Sequence, residues 1–328
     1  MEPIRLDLNE MPFAPPAEFT SVIQESIHRL NRYTEPGELR QLQQLIAGYT
    51  GVSEKHIIIG PGTELLLREL ILCFAGERAV VTVTPSFQPT IQTARAFSPQ
   101  IHTIRLCCFP EFLLKKEPLL EELQGPTLVI IDNPNNPTGQ LLIDREVLRA
   151  ILDTPETLLV IDEAYYEFSG STCADLLNDY PNLAITRTFD KAFGLAGARI
   201  GYLLAGDSFL SAFSTFPRFL PRIGVQLSIN ALERSDYMKK NVEIIKEERE
   251  RILQELERLH FGVCKSSTNF VLLRTEIGSF AGRLYEFGVL VSDMTAQLGP
   301  GYVRISVGTP QENDKLLDIC EDLVNQEE

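Results

Sequence analysis

Between about residues 56 and 205 the chain alternates short β-branched runs with segments of helical spacing, and this alternation restricts its architecture more than any other feature. HIIIG (56–60), AVVTVT (79–84), IHTIRL (101–106), TLVIID (127–132), LLVIDE (158–163), LAITRT (183–188) and RIGYLLA (199–205) read as strands. Most are apolar throughout, the pattern of strands covered on both faces. GTELLLRELILCF and DREVLRAIL, with helical spacing, lie between them. Strand, helix, strand repeated in this way predicts an α/β sandwich around a mainly parallel sheet.

The texture changes after about residue 236. YMKKNVEIIKEERERILQELERLH places Val242, Ile245, Ile252, Leu256 and Leu259 on one face of a long amphipathic helix. NFVLLR (269–274) and YVRISV (302–307) are strand candidates. Thr309-Pro310-Gln311-Glu312 is a capping box with proline at the first helical position, opening a last helix, NDKLLDICEDLV. The expected division is an N-terminal segment (1–30) that joins the small domain, a large domain (31–235) and a small α+β domain (236–328). Six scattered cysteines without CxxC spacing and four isolated histidines argue for reduced thiols and against a metal site. No run reaches the ~20 apolar residues of a membrane helix, and the start MEPIRLDLNE has no export signal, so a cytoplasmic protein is expected. A net charge of −15 disfavours nucleic acid and anionic membranes as partners.

Three polar motifs follow apolar strands. NPNNPTG (133–139) emerges after TLVIID, where α/β sheets place ligands, although a plain turn would use the same residues. VIDEAYYEF puts Asp162 and Tyr165 at a second strand end, where an acid is also a common helix cap. TRTFDKAFGLAGARIGY sets Lys191 after a third strand, with Arg199 eight residues on. Each is weak alone; three in order at buried strand ends point to one site.

With these motifs the chain resembles the fold-type I pyridoxal-phosphate aminotransferases, and among them the histidinol-phosphate aminotransferase family. LNEMPF, NRY, NNPTG, DEAYYEF, KAFGLAGARIGY and RISVGTPQEN carry the resemblance from Leu8 to about Leu323. It implies a large domain with a mainly parallel sheet between helices, a smaller α+β domain, and pyridoxal 5′-phosphate as cofactor. Lys191 would hold the cofactor as a Schiff base and move a proton, and Asp162 would keep its ring nitrogen protonated. Asn136 and Tyr165 would donate to its phenolic oxygen. Phe87, in TPSF, would stack on its ring; an ordinary core phenylalanine is the alternative. Gly60-Pro61-Gly62-Thr63-Glu64 leads into a helix, so the amides of Thr63 and Glu64 would cradle the phosphate with Thr188 and Arg199. Tyr33 matches a tyrosine that reaches this phosphate from a partner subunit, which implies a homodimer; a turn residue is the other reading. Arg304 would grip the substrate carboxylate or its equivalent, and Asn9 belongs to a segment that covers the substrate.

Two positions depart from the family pattern. Asp190 stands where serine is usual, and a carboxylate near a phosphate is expected to turn away, towards an arginine. Ser292 stands where an arginine usually binds histidinol phosphate, a loss of roughly 1.5–3 kcal/mol of charge-assisted contact. Arg218 or Arg222, in FPRFLPRIGVQ (216–226), could compensate. The leading reading is therefore a transaminase of the histidinol-phosphate type that works between an amino acid or amine and a 2-oxo acid. A decarboxylase resembling threonine-phosphate decarboxylase, an aromatic amino acid aminotransferase and a regulator built on the same scaffold are the competing readings.

Overall fold

The computed structural model describes residues 3–213 and 218–326. Its strands, in chain order, are β1 (Ile4–Leu6), β2 (Ile57–Gly60), β3 (Ala79–Thr84), β4 (Ile101–Arg105), β5 (Thr127–Asp132), β6 (Thr157–Asp162), β7 (Leu183–Thr188), β8 (Gly201–Ala205), β9 (Gly262–Val263), β10 (Phe270–Arg274), β11 (Val289–Asp293) and β12 (Tyr302–Ser306). Seven form one sheet in the order β2-β8-β7-β6-β5-β3-β4. Only β8 runs against its neighbours, so the sheet is mainly parallel, as its unbroken apolar strands require.

Both faces are covered. Val81, Val129, Ile131, Leu159, Ile161 and Ile185 enter one hydrophobic cluster, while Val80, Leu128, Ile130, Leu158, Val160 and Ala184 enter the other. The period-two geometry of a strand sends neighbouring residues to opposite faces, and each face meets a helical layer. The strand read over 199–205 starts two residues late, at Gly201. Arg199 lies in the left-handed region at φ 54°, which extended backbone cannot include.

The remaining strands make a second sheet, β1-β11-β12-β10-β9. β1 pairs in parallel with β11, setting Leu6 beside Val291, so the first residues of the chain join the sheet built from its last third. The long helix spans Asp236–Arg258 and buries Val242, Ile245, Ile252 and Leu256. The final helix, Pro310–Asn325, opens on the complete Thr309–Glu312 capping box. No helix of the described residues is long and apolar enough to cross a membrane.

One close approach ties sheet to helix. A Cβ built on Gly201, the first residue of β8, would lie 2.8 Å from the Thr63 amide nitrogen and 3.0 Å from the Gly62 carbonyl carbon. Both are backbone atoms that cannot rotate aside. Gly201→Ala is therefore expected to cost roughly 1–3 kcal/mol through overpacking. Urea unfolding should show a lower midpoint with an unchanged slope; an unshifted midpoint would mean that the helix start yields freely.

Candidate active site

Parallel strands bring their carboxyl ends to one edge, and here the ends of β3, β5, β6 and β7 deliver Ser86 and Phe87, Asp132 to Asn136, Asp162 to Tyr165, and Thr188 to Lys191. A cavity of about 240 Å³ opens there. Its wall includes Thr63, Glu64, Phe87, Asn136, Asp162, Tyr165, Lys191 and Arg199 from the large-sheet half, Arg304 from β12, and Asn9 from the N-terminal segment. Three candidates from the sequence lie off this wall: Thr188, Ser292 and Tyr33. A larger cavity, about 580 Å³, sits over Leu259–Gly262 and Arg274–Ile277, away from every candidate site residue named above.

Asp132 and Asp162 occupy the same register on adjacent strands. Asp132 is fully served: it accepts from Ser86 Oγ at 2.7 Å, Asn135 Nδ2 at 3.0 Å and the Asn136 amide at 2.8 Å. Asp162 accepts from Thr186 Oγ1 at 2.7 Å and from the Ala164 amide, and among the described residues no cation is seen beside it to balance its charge. Burial pushes its carboxyl up to about 7, with a further push from Asp132. A group carrying a positive charge or a proton is what this carboxylate lacks.

Lys191 donates from Nζ to the Leu8 carbonyl at 3.1 Å. Burial pulls its amine down to about 8, Asp190 resists, and Arg304 adds to the fall. A sizeable fraction of neutral amine is thus available near neutrality, as a nucleophile or proton carrier requires. Tyr165 is held protonated, its phenol pushed up to about 12 by burial against the opposing pull of Arg304. Asn9 Nδ2 donates to the Tyr165 hydroxyl at 3.0 Å, which leaves the phenolic proton free to be given elsewhere.

Arg304 is oriented by three acceptors. Nη1 donates to Asn136 Oδ1 at 2.6 Å, and Nη2 donates to the Asp7 carbonyl at 2.7 Å and to Ser292 Oγ at 3.0 Å. With its carbonyl oxygen so engaged, Asn136 keeps its NH₂ group as a donor. Ser292 in turn donates to the Asp7 carbonyl at 2.7 Å, so its hydroxyl steadies Arg304 from the neighbouring strand. Nε of Arg304 is buried without a hydrogen-bond partner among the described residues.

The helix Thr63–Phe74 begins at this cavity with no side-chain cap on its first amides; Gly62 precedes it at φ 87°. Its free N–H groups and dipole favour an anion. Arg199 is close enough that a Cβ on Gly62 would come within 2.8 Å of its guanidinium. Phe87 caps the following helix, Gln88–Phe97, and contributes a half-buried ring. Thr188 sits just behind, its Oγ1 accepting from the Asp190 amide at 2.9 Å.

Two expectations are corrected. Asp190 does pair with an arginine, but it does not turn away: it lines the same cavity and its partner is Arg199, the nearest guanidinium. A buried carboxylate takes the closest cation on offer. Arg218 and Arg222 do not reach the cavity. Arg218 donates twice to Glu69, at 3.0 and 2.7 Å, and Arg222 is buried against Glu38. Phe216 and Pro217 of the same segment lie outside the described residues.

The sequence reading overlooked Asp132, Asn269 and Ser306. Asn269 donates to the Asn9 carbonyl at 3.0 Å, and Ser306 accepts from the Asn9 amide at 2.8 Å. The signal for Asp132 was available: TLVIID (127–132) and TLLVID (157–162) are neighbouring buried strands, each ending in aspartate.

The profile of the family described as aminotransferase class I and II matches residues 2–319. A histidinol-phosphate aminotransferase of Sulfurisphaera tokodaii is 36% identical, aligned over 98% of this chain and 90% of its own length. One from Thermococcus gammatolerans is 34% identical, over 99% of this chain and 93% of its own. The crystal structure of histidinol-phosphate aminotransferase from Sinorhizobium meliloti in complex with pyridoxal-5′-phosphate superposes with a TM-score of 0.88 at 29% identity, covering 100% of this chain and 92% of that one.

The raised carboxyl of Asp162 has a measurable signature. The folded protein holds this proton more tightly than the unfolded chain, whose aspartates titrate near 4. Its contribution is therefore present at low pH and is lost as pH rises towards about 7. Ligand-free Asp162→Asn should flatten the decline in stability over that window by up to about 1.4 kcal/mol per pH unit. Parallel pH–stability curves for the two proteins would show that Asp162 ionises normally.

Proposed function

The chain belongs to the class I and II aminotransferases, and from this we propose that it carries an amino group between histidinol phosphate and a 2-oxo acid, with pyridoxal 5′-phosphate seated in the cavity beside Lys191. It is a pyridoxal-phosphate-dependent transaminase. The observation that carries the reading is the pairing on one wall of a lysine amine pulled down to about 8 with a buried carboxylate that lacks a cation. The residues fit the cofactor at each of its polar ends. Asp162 meets a protonated ring nitrogen, Asn136 and Tyr165 offer donors to a phenolate, Phe87 presents a ring face, and the uncapped Thr63–Glu64 amides with Arg199 face a phosphate.

When bound, the cofactor supplies an electron sink for the charge left as the substrate carbon loses its proton. The protein performs the rest. Lys191 takes that proton as a neutral amine and can return it to a different carbon. Asp162 keeps the ring nitrogen protonated; at 4 Å and an effective dielectric near 20 such a pair is worth about 4 kcal/mol. Arg304, already aligned by Asp7 and Ser292, meets the substrate's carboxylate or its equivalent. Asn9 fastens the N-terminal segment across Tyr165 and Ser306 and so keeps water from this side.

A second reading, an aromatic amino acid aminotransferase, rests on the cavity wall itself. Arg199 and Arg304 are the guanidinium groups among its described residues, and neither is left over for a phosphate at the far end of a substrate. Single additions to the holoenzyme separate these readings from the decarboxylase one. Histidinol phosphate should convert the cofactor spectrum to the amine form at least tenfold more efficiently than phenylalanine, and threonine phosphate should release no CO₂. Preference for phenylalanine would establish the aromatic reading, and CO₂ release would displace transamination.

We also propose a homodimer with a shared site. Tyr33 is 77% exposed and packs its ring, tilted by 43°, against Phe219, itself 72% exposed, at 5.0 Å between ring centroids. Two such rings left in water favour burial against a second copy. The thiols are unpaired, which accords with a cytoplasmic home. Lys191→Ala should cut turnover by about 10³-fold or more. Mixed with Tyr33→Ala subunits, it should regain activity as hybrids form, since each hybrid holds one site with both residues intact. Hybrids that form without regained activity would remove Tyr33 from its partner's site.

A further inference from the structure

We propose that Asp190 is the resident counter-ion of the phosphate cradle, holding Arg199 until a phosphate arrives and then giving way by taking up a proton, so that cofactor binding and proton binding are one event. This rests on the cofactor assignment above. Three observations support it. Arg199 pairs with Asp190 Oδ2, so the guanidinium that faces the uncapped helix start already has an anion. Asp190 Oδ1 is buried and has no hydrogen-bond partner among the described residues, which leaves half of the carboxylate without a donor. The residue is also pinned, because its amide donates to Thr188 Oγ1 at 2.9 Å while its neighbour Lys191 is held towards Leu8.

A carboxylate in that place repels an incoming phosphate. A protonated carboxyl does the reverse: it releases Arg199 to the phosphate and offers an O–H of its own to a phosphate oxygen. The surroundings of Asp190 favour such a switch. Burial raises its carboxyl, while Arg199, Lys191 and the Thr188 hydroxyl pull the other way. Arg199 is the strongest of these restraints, so a phosphate that draws it off frees the carboxyl to rise further. Other charges on the wall do not replace it. Glu64 at the helix start is paired with Arg68 at 3.2 Å, Arg304 is committed to Asn136, Asp7 and Ser292, and the carboxyls of Asp132 and Asp162 on the strand ends offer no positive charge. Glu10, on the N-terminal segment, acts on Lys191.

Calorimetry of pyridoxamine 5′-phosphate binding to the apoprotein, in two buffers of different ionisation enthalpy between pH 6 and 9, tests this without turnover. This probe carries an amine, so it cannot condense with Lys191. The wild type should take up about one proton more per ligand than Asp190→Asn, and its Kd should weaken about tenfold more per pH unit on the alkaline side. Asp190→Ser should match Asp190→Asn. Protons taken by the ring nitrogen or by the phosphate itself are common to all three proteins, so the difference isolates residue 190. Tight binding with equal uptake and equal slopes in all three proteins overturns the proposal and leaves the cofactor assignment standing. A wild type that binds pyridoxamine 5′-phosphate at no pH overturns both.

Discussion

Two buried aspartates at one register of adjacent parallel strands set the terms for the whole site. Like charges so placed are tolerated only if their environments are made unequal. Three donors satisfy Asp132, and the Asn135–Asn136 turn that supplies two of them is thereby fixed in shape. Asp162 is left with a single side-chain donor, Thr186, and its carboxyl drifts up to about 7. One aspartate builds the loop; the other waits for a cation. The apolar strands are what make this effective, because in solvent neither carboxylate would be displaced from its ordinary behaviour.

The second constraint is the N-terminal segment. Its strand β1 is hydrogen-bonded into the small sheet, and the residues that follow cross to the large-sheet half. Along the way the Asp7 carbonyl accepts from Arg304 and Ser292 of the small sheet, Leu8 accepts from Lys191, and Asn9 bridges Ser306 to Tyr165. Asn9 adopts φ 55° to do so, a conformation that asparagine tolerates better than most residues. Ser292 takes a different meaning in this setting. It is spoken for by Asp7 and Arg304, so its hydroxyl goes to aiming the arginine.

Much of this was legible in the residues. Nine of the strands, the capping box of the last helix and the buried face of the long helix follow from period and punctuation, which are local properties. The clustering of Asn136, Asp162, Tyr165 and Lys191 was legible too, because parallel strands place their ends together whatever the details. What could not be read depends on partners distant in sequence. β1 is three residues long and gains its identity from pairing with β11, some 285 positions away. Asp190 and Arg199 each suggested a role alone, but their pairing is a matter of side-chain geometry. Arg218 and Arg222 seemed available for a substrate until Glu69 and Glu38 were placed against them.

The charge of the chain explains why these contacts have to be so specific. At −15 the protein as a whole repels anionic ligands, and at physiological salt such long-range fields fade beyond about 8 Å. The cavity wall does not reverse the sign by weight of numbers: Lys191, Arg199 and Arg304 stand against Glu64, Asp132, Asp162 and Asp190. On the proposed reading, an anion would be held by groups that act at contact distance, chiefly the uncapped amides of the Thr63–Phe74 helix and Arg199, which is now paired with Asp190. Selectivity follows from the same arrangement. A ligand with a negative charge but no ring nitrogen leaves the buried carboxyl of Asp162 without a positively charged partner. One with the nitrogen but no phosphate leaves the helix start uncapped and Arg199 on Asp190. Only a ligand that presents both at the right separation relieves the two ends of the cavity together.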